Sequence, residues 1–112
     1  MDCLFCKIIN GDIPCSKIYE DDTVLAFNDI DPQAPVHFLI IPKQHIKSVD
    51  EINSGNSAII AHIFEVIAKL ATQLELADGY RVVTNCGKDG GQSVGHLHFH
   101  ILGKRSLKWP PG

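Results

Sequence analysis

The sequence predicts an α+β domain built on an antiparallel sheet, and three observations carry that reading. One long stretch, residues 56–77, places Ile59, Ile60, Ile63, Val66, Ile67, Leu70 and Leu74 at helical spacing. About five short apolar stretches, several rich in β-branched or aromatic residues, lie between Gly, Pro, Asn and Asp clusters. The strands and the helix are segregated along the chain rather than alternating. The expected architecture is a five-stranded sheet with one long helix and a short N-terminal helix, in a single domain of residues 1–112. A chain of this length can bury a real but modest core.

Taken in order, the elements follow from local chemistry. Cys3-Leu4-Phe5-Cys6-Lys7-Ile8-Ile9 reads as a short helix stopped by Asn10-Gly11. Lys17–Glu20 is a short strand, Asp21-Asp22 an acidic turn, and residues 23–28 a second strand. Residues 29–35 hold two prolines and two aspartates, which oppose regular structure and make a loop. Asp29 comes straight off a strand end, where an aspartate can bind a ligand but ordinarily caps a turn. Val36–Pro42 is a strongly apolar strand with His37 near its start, and His45 follows it. Residues 48–55 give a short helical turn and a loop. In the long helix, Asn56 stands at the N-cap and Asp78-Gly79 at the end. His62 lies off its apolar stripe and reads as a surface residue. Residues 80–85 form another strand. Residues 86–95 carry four glycines and make a loop whose N–H groups can turn on an anion. The tail holds Trp109 between Lys108 and two prolines, and a bulky indole there suggests docking.

The stretch over residues 95–102 organises the rest. His96, His98 and His100 alternate with Leu97, Phe99 and Ile101, the signature of a half-buried strand. Alternate side chains share a face and are spaced by about 6.6 Å, so three imidazoles would form a row. The ordinary alternative is a strand with a polar outer face, but histidine has no strand preference that would produce such a run.

Composition narrows the function. A net charge of −3 gives no basic footprint for nucleic acid. No apolar run approaches a membrane span, and the first residues lack the basic-then-apolar order of a signal peptide, which points to the cytoplasm. Cys3, Cys6, Cys15 and Cys86 then read as thiols or metal ligands rather than disulfides. The Cys3–Cys6 pair could grip one metal ion, but a tetrahedral site needs two further ligands. The histidine row admits three chemistries: metal binding, proton transfer or nucleophilic attack. A metal reading would take two of the row with His37 or His45. A phosphoryl reading has one histidine attack phosphorus, a neighbour bind its oxygens, and the glycine loop hold the anion.

His96-Leu97-His98-Phe99-His100-Ile101-Leu102 matches the histidine-triad signature, and the chain resembles the histidine triad (HIT) superfamily, in particular its HINT branch of purine nucleoside phosphoramidases. The resemblance runs over nearly the whole chain. It includes Phe27-Asn28-Asp29-Ile30, Pro32-Gln33-Ala34-Pro35, His37-Phe38-Leu39, Ile41-Pro42-Lys43, Asp89-Gly90-Gly91-Gln92-Ser93-Val94 and Trp109-Pro110-Pro111-Gly112.

That resemblance implies a HIT-like homodimer whose interface uses the long helix and the residue 80–85 strand, with the tail reaching the partner's site. It implies His98 as nucleophile, forming a covalent nucleotidyl-histidine at the α-phosphate. His100 would contact the phosphate and assist proton movement, His37 would complete the cluster, and Ser93 would hydrogen-bond the leaving amine. Asn85 and Gly91 would help hold the nucleotide and Asp29 would take the ribose hydroxyls. Leu4, Phe5, Ile8, Phe27 and Ile30 would enclose the base. Cys3 and Cys6 resemble the zinc-binding pattern of many bacterial members, whose remaining ligands correspond to His45 and His96; this zinc is structural, and catalysis needs no cofactor. Gly95 departs from the usual bulkier residue. Within the same superfamily, dinucleoside polyphosphate hydrolysis is the alternative activity, and a nucleotide-binding scaffold the alternative of another class.

Overall fold

The computed structural model describes residues 3–112, so Met1 and Asp2 of the opening segment lie outside the described residues. The chain forms α1 (Leu4–Ile9), β1 (Lys17–Glu20), β2 (Val24–Asn28), β3 (Val36–Pro42), a 3-10 turn (Val49–Glu51), α2 (Ser57–Gln73), β4 (Tyr80–Val83), the single-turn α3 (Gly87–Gly90) and β5 (Phe99–Gly103). The five strands make one sheet in the order β1-β2-β3-β5-β4, and every neighbouring pair is antiparallel. Because β3 and β4 each run antiparallel to β5, they are parallel to each other. The link through α2 is therefore a crossover that leaves a slot, and β5 fills it.

Strand alternation divides the sheet into two faces. Val24, Ala26, Phe38, Ile40, Phe99 and Ile101 pack with Ile63, Val66, Ile67 and Leu70 of α2 into the larger core. Each such fully buried aliphatic or aromatic side chain contributes roughly 1.5–3 kcal/mol. Leu25, Phe27, Leu39 and Ile41 point the other way and pack against Phe5 of α1. His37 and His100 stand on this second face, with His98 just upstream of β5.

Several boundaries differ from the sequence expectation, each for a local reason. The long helix stops at Gln73 rather than Ala77. Glu75 adopts a left-handed φ of 60°, the Leu76 N–H reaches back to the Ala71 carbonyl, and the Glu75 N–H reaches Thr72. This Schellman-type ending buries Leu76 in the core instead of extending the helix into water. Asn56 occupies the N-cap, but its side chain makes no cap bond; it accepts from the Asn53 N–H and donates to the Glu51 carbonyl. Residues 86–95 contain the α3 turn, closed by Gly91 at a φ of 77°.

The strand expected over residues 80–85 ends at Val83, and the histidine strand expected from residue 95 pairs only from Phe99. Upstream of Phe99 the backbone groups have other partners. Leu97 N–H donates to Ile46, Thr84 Oγ1 donates to the His98 carbonyl, and the His98 ring takes the His96 carbonyl. His62 is not a lone surface residue: Nε2 lies 2.6 Å from Asp21 Oδ2, tying α2 to the β1–β2 turn. Trp109 does not dock on its own domain and is 82% exposed. No helix among the described residues is long and apolar enough to cross a membrane.

Candidate functional site

His37 is the second residue of β3, His100 lies in β5, and His98 immediately precedes β5. In register, Leu39 faces His100 and His37 faces Leu102, so the two strands bring His37 and His100 together on the α1 side. His37 Nε2 is 3.0 Å from His100 Nδ1, and the His98 and His100 rings are 5.1 Å apart.

Backbone groups fix the tautomer of each ring. Gln33 N–H donates to His37 Nδ1 at 3.0 Å, so a neutral His37 carries its proton on Nε2. That proton points at His100 Nδ1, which leaves the His100 proton on its own Nε2. His98 Nδ1–H donates to the His96 carbonyl at 2.7 Å, leaving His98 Nε2 with a free lone pair. Burial pushes the His100 ring down to about 4, and the neighbouring His98 and His37 charges add to it, so His100 is neutral near pH 7.

Asp29 is set beside these rings by the bond from its own N–H to the His37 carbonyl. Oδ1 caps the turn by accepting from Asp31 N–H, while Oδ2 lies 3.4 Å from His37 Nε2 and 3.9 Å from His100 Nδ1. Both sequence readings of Asp29, turn cap and ligand carboxylate, therefore have an oxygen available. Asp29, His37 and His100 are close enough to share a cation. However, His37 Nδ1 is taken by a backbone donor and Nε2 holds the proton, so the trio is better suited to passing a hydrogen bond than to ligating.

Phe5 and Phe27 are buried and meet edge to face, 5.7 Å apart, and Phe5 also sits edge-on to His98 at 5.1 Å. Ile8 is half-buried, while Leu4 is exposed and Ile30 is fully exposed at the rim. Phe5, Phe27 and Ile8 thus pack together as a wall, while Leu4 and Ile30 are exposed and outside that packed cluster. Ser93 and Gly91 are exposed in the glycine loop, and Asn85 is half-buried at its entrance. Among the described residues, no hydrogen bond joins these three to the histidine cluster. The groups that sequence reasoning missed are the Gln33 amide and the His96 and Pro42 carbonyls. Being backbone atoms, they leave no mark in residue identity.

A second cluster lies at the other end of the row. Cys3 Sγ is 3.3 Å from His96 Nδ1, Cys6 Sγ is 3.3 Å from His45 Nδ1 and 3.6 Å from His96 Nδ1, and the two Nδ1 atoms are 3.1 Å apart. All four donor atoms lie within 4.8 Å of one another. The edges of a tetrahedral zinc site are roughly 3.3–3.8 Å, given metal–ligand bonds of about 2.0–2.3 Å. The His96 ring is fully buried and its Nε2–H donates to the Pro42 carbonyl at 2.8 Å, so its lone pair points into the cluster. Burial, together with the adjacent Cys3, raises the Cys6 thiol above its ordinary value. None of the four cysteines forms a disulfide.

Clefts also open away from the histidines, around the start of β4. One of about 410 Å³ is lined by Glu75, Leu76, Asp78, Gly79, Lys104, Arg105 and Ser106. Its mixed charges converge on no common chemistry, so the histidine face remains the candidate site.

Comparison with known proteins agrees with this fold. The family described as HIT domain matches residues 10–107. An uncharacterized HIT-like protein of Synechococcus elongatus is 50% identical over 99% of this chain and 97% of its own length. A HIT family hydrolase from Legionella pneumophila superposes with a TM-score of 0.97 at 49% identity, covering 99% of this chain and 100% of that one. A histidine triad protein from Clostridium difficile gives 0.93 at 52% identity, covering 96% and 95%. With its alternating histidines, its sheet and a family match that spans residues 10–107, the chain belongs to the HIT domain family.

Proposed function

We propose that this protein is a nucleotide hydrolase of the HINT type, cleaving the P–N bond of purine nucleoside phosphoramidates through a covalent nucleotidyl-His98. One observation carries the reading: the bond from His98 Nδ1–H to the His96 carbonyl leaves Nε2 unprotonated, in a ring 5.1 Å from that of His100 on the α1 side of the sheet. The solved relative from Legionella is named a hydrolase, which supports the reaction class.

In the first half-reaction the His98 Nε2 lone pair forms a bond to the α-phosphorus and the P–N bond breaks. The nitrogen departs as an amine carrying one proton taken up from solvent, Ser93 hydrogen-bonding it as it leaves. His98 keeps its Nδ1 proton, so the positive charge of the phosphorylated ring is shared with the His96 carbonyl. His100 Nε2–H donates to a phosphate oxygen, and the loop around Gly91, with Asn85, holds the nucleotide. In the second half, water attacks phosphorus, the P–Nε2 bond breaks with its electron pair returning to His98, and the proton the water loses goes to solvent, restoring the one the amine took. Asp29 binds the ribose diol and the wall of Phe5, Ile8 and Phe27, with Leu4 and Ile30, takes the base. Side-by-side turnover of adenosine phosphoramidate and diadenosine polyphosphates tests the assignment. Preference for the phosphoramidate is expected; exclusive use of the dinucleotide would reassign the substrate.

Cys3, Cys6, His45 and His96 would hold a structural zinc ion. The donor set supports this, since two sulfurs and two imidazole lone pairs converge at tetrahedral spacing. Zinc there would supply a cross-link between the N-terminal helix and the sheet, with no role as a Lewis acid. About one zinc per chain is expected by elemental analysis of protein purified without a metal-binding tag. The open β4 edge, with Tyr80 and Phe64 exposed, supports a homodimer formed along α2 and β4, with Trp109 reaching the partner.

A further inference from the structure

The carbonyl that orients the nucleophile belongs to His96, and His96 lies upstream of the sheet ladder, which begins at Phe99. Strand pairing therefore does not hold it. Its restraints are the neighbouring Leu97 N–H, bonded to Ile46 at 2.7 Å, and the two nitrogens of its own ring. Nε2–H is fixed on Pro42, whereas Nδ1 ends in the sulfur cluster. There it faces His45 Nδ1 at 3.1 Å, and two lone pairs at that distance repel unless a cation or a proton lies between them. A second link runs through Phe5, which stands between Cys3 and Cys6 in the chain. Its ring lies edge-on to both His98 and His96, at 5.1 and 5.9 Å.

We propose that the Cys3–Cys6–His45–His96 cluster is a positioning device for His98. A cation held there fixes the His96 carbonyl and the Phe5 ring, and through them the tautomer and aim of the nucleophile. His96 is on this account a positioning residue that never touches substrate. The inference rests on the zinc reading above and goes beyond it, because a merely structural ion would leave the nucleophile unaffected once the chain is folded.

The test uses the full chain in three forms: zinc-loaded, stripped by chelator and reloaded, each held below its melting temperature. Metal content is measured first, so absence of zinc from freshly purified protein overturns the zinc reading and this inference together. In loaded protein that does carry zinc, stripping should lower kcat about 10- to 100-fold, the scale of losing an outer-shell restraint, with KM changed by less than about threefold. In protein with ¹⁵N-labelled histidine, the Nδ1–H signal of His98, assigned by its loss in His98→Asn, should broaden or divide between tautomers. Reloading should restore both readouts in the wild type and neither in Cys3→Ser/Cys6→Ser. If the stripped chain unfolds, His45→Gln, which removes the exposed ligand alone, gives the same comparison across graded zinc concentrations. Stripped protein that keeps its kcat and its His98 signal while melting lower would overturn the positioning role and leave the structural zinc standing.

Discussion

The two histidine clusters use one side chain in opposite ways. In the first, backbone groups occupy His37 Nδ1 and His98 Nδ1, so one ring directs its proton at His100 and the other keeps an unprotonated Nε2. In the second, the Pro42 carbonyl occupies His96 Nε2, and the free nitrogen turns inward to meet two sulfurs and another imidazole. His96 and His98 are two residues apart on the same face, yet one is suited to hold a cation and the other to attack an electrophile. The chemistry lies in which nitrogen the backbone takes.

The comparison breaks most sharply at His98. Replacing it with Ala or Asn should cut turnover by at least about 1,000-fold, while nucleotide binding, measured by calorimetry, stays close to wild type. Near-normal turnover would end the covalent mechanism. The contrasting change is Cys3→Ser/Cys6→Ser. It should abolish zinc binding and lower the melting temperature by several degrees, with nucleotide still bound. If zinc is instead lost in the His98 variant, the triad is the metal site and the two clusters have been assigned the wrong way round.

Asp29→Ala should weaken nucleoside monophosphate binding by about 2–4 kcal/mol, the scale of two hydrogen bonds to a charged acceptor, and a dideoxy sugar should lose a similar amount on the wild type. Equal binding of both sugars would reduce Asp29 to its turn-capping oxygen. A smaller effect is expected from pH. His100 is held near 4 in the folded chain against 6.5 when free, so as the pH falls the unfolded chain takes up the proton first. Its contribution to stability is complete above pH 6.5 and is lost as the pH falls through about 4; urea midpoints of wild type and His100→Gln should converge across that window.

The smallest effect is expected at the pair away from both clusters. Partial burial would raise the Asp21 carboxyl, but bonds from His62, the Thr23 and Val24 amides and Tyr19 outweigh it and hold it well below the usual carboxylate range. His62→Ala should cost no more than about 1 kcal/mol by thermal unfolding at neutral pH, since the pair lies at the surface and is partly exposed.

Much of this was legible in the sequence, because periodicity reports which face a side chain takes. Alternation placed His96, His98 and His100 opposite Leu97 and Phe99 even where no ladder forms, and the i, i+3, i+4 stripe found the buried side of α2. The places that escaped are those where a single backbone group decides. The left-handed turn at Glu75 has no glycine to announce it, and the Gln33 amide that sets the His37 tautomer would be the same atom in any residue but proline. The Trp109 side chain offered size but no partner within its own chain. The cysteine pair indicated a grip, and the fold brought His45 and His96 to it from positions 39 and 90 residues further on.

The slot between β3 and β4 has a consequence for how the molecule comes into being. The strand that fills it is the last one made, and its partners in β3 were synthesised some sixty residues earlier, as the pairing of His37 with Leu102 shows. A nascent chain that has emerged only as far as β4 has the α2 crossover but two unsatisfied inner strand edges, and neither histidine cluster is yet assembled. Closure of the sheet, burial of the larger core and assembly of both clusters therefore come with the same late segment.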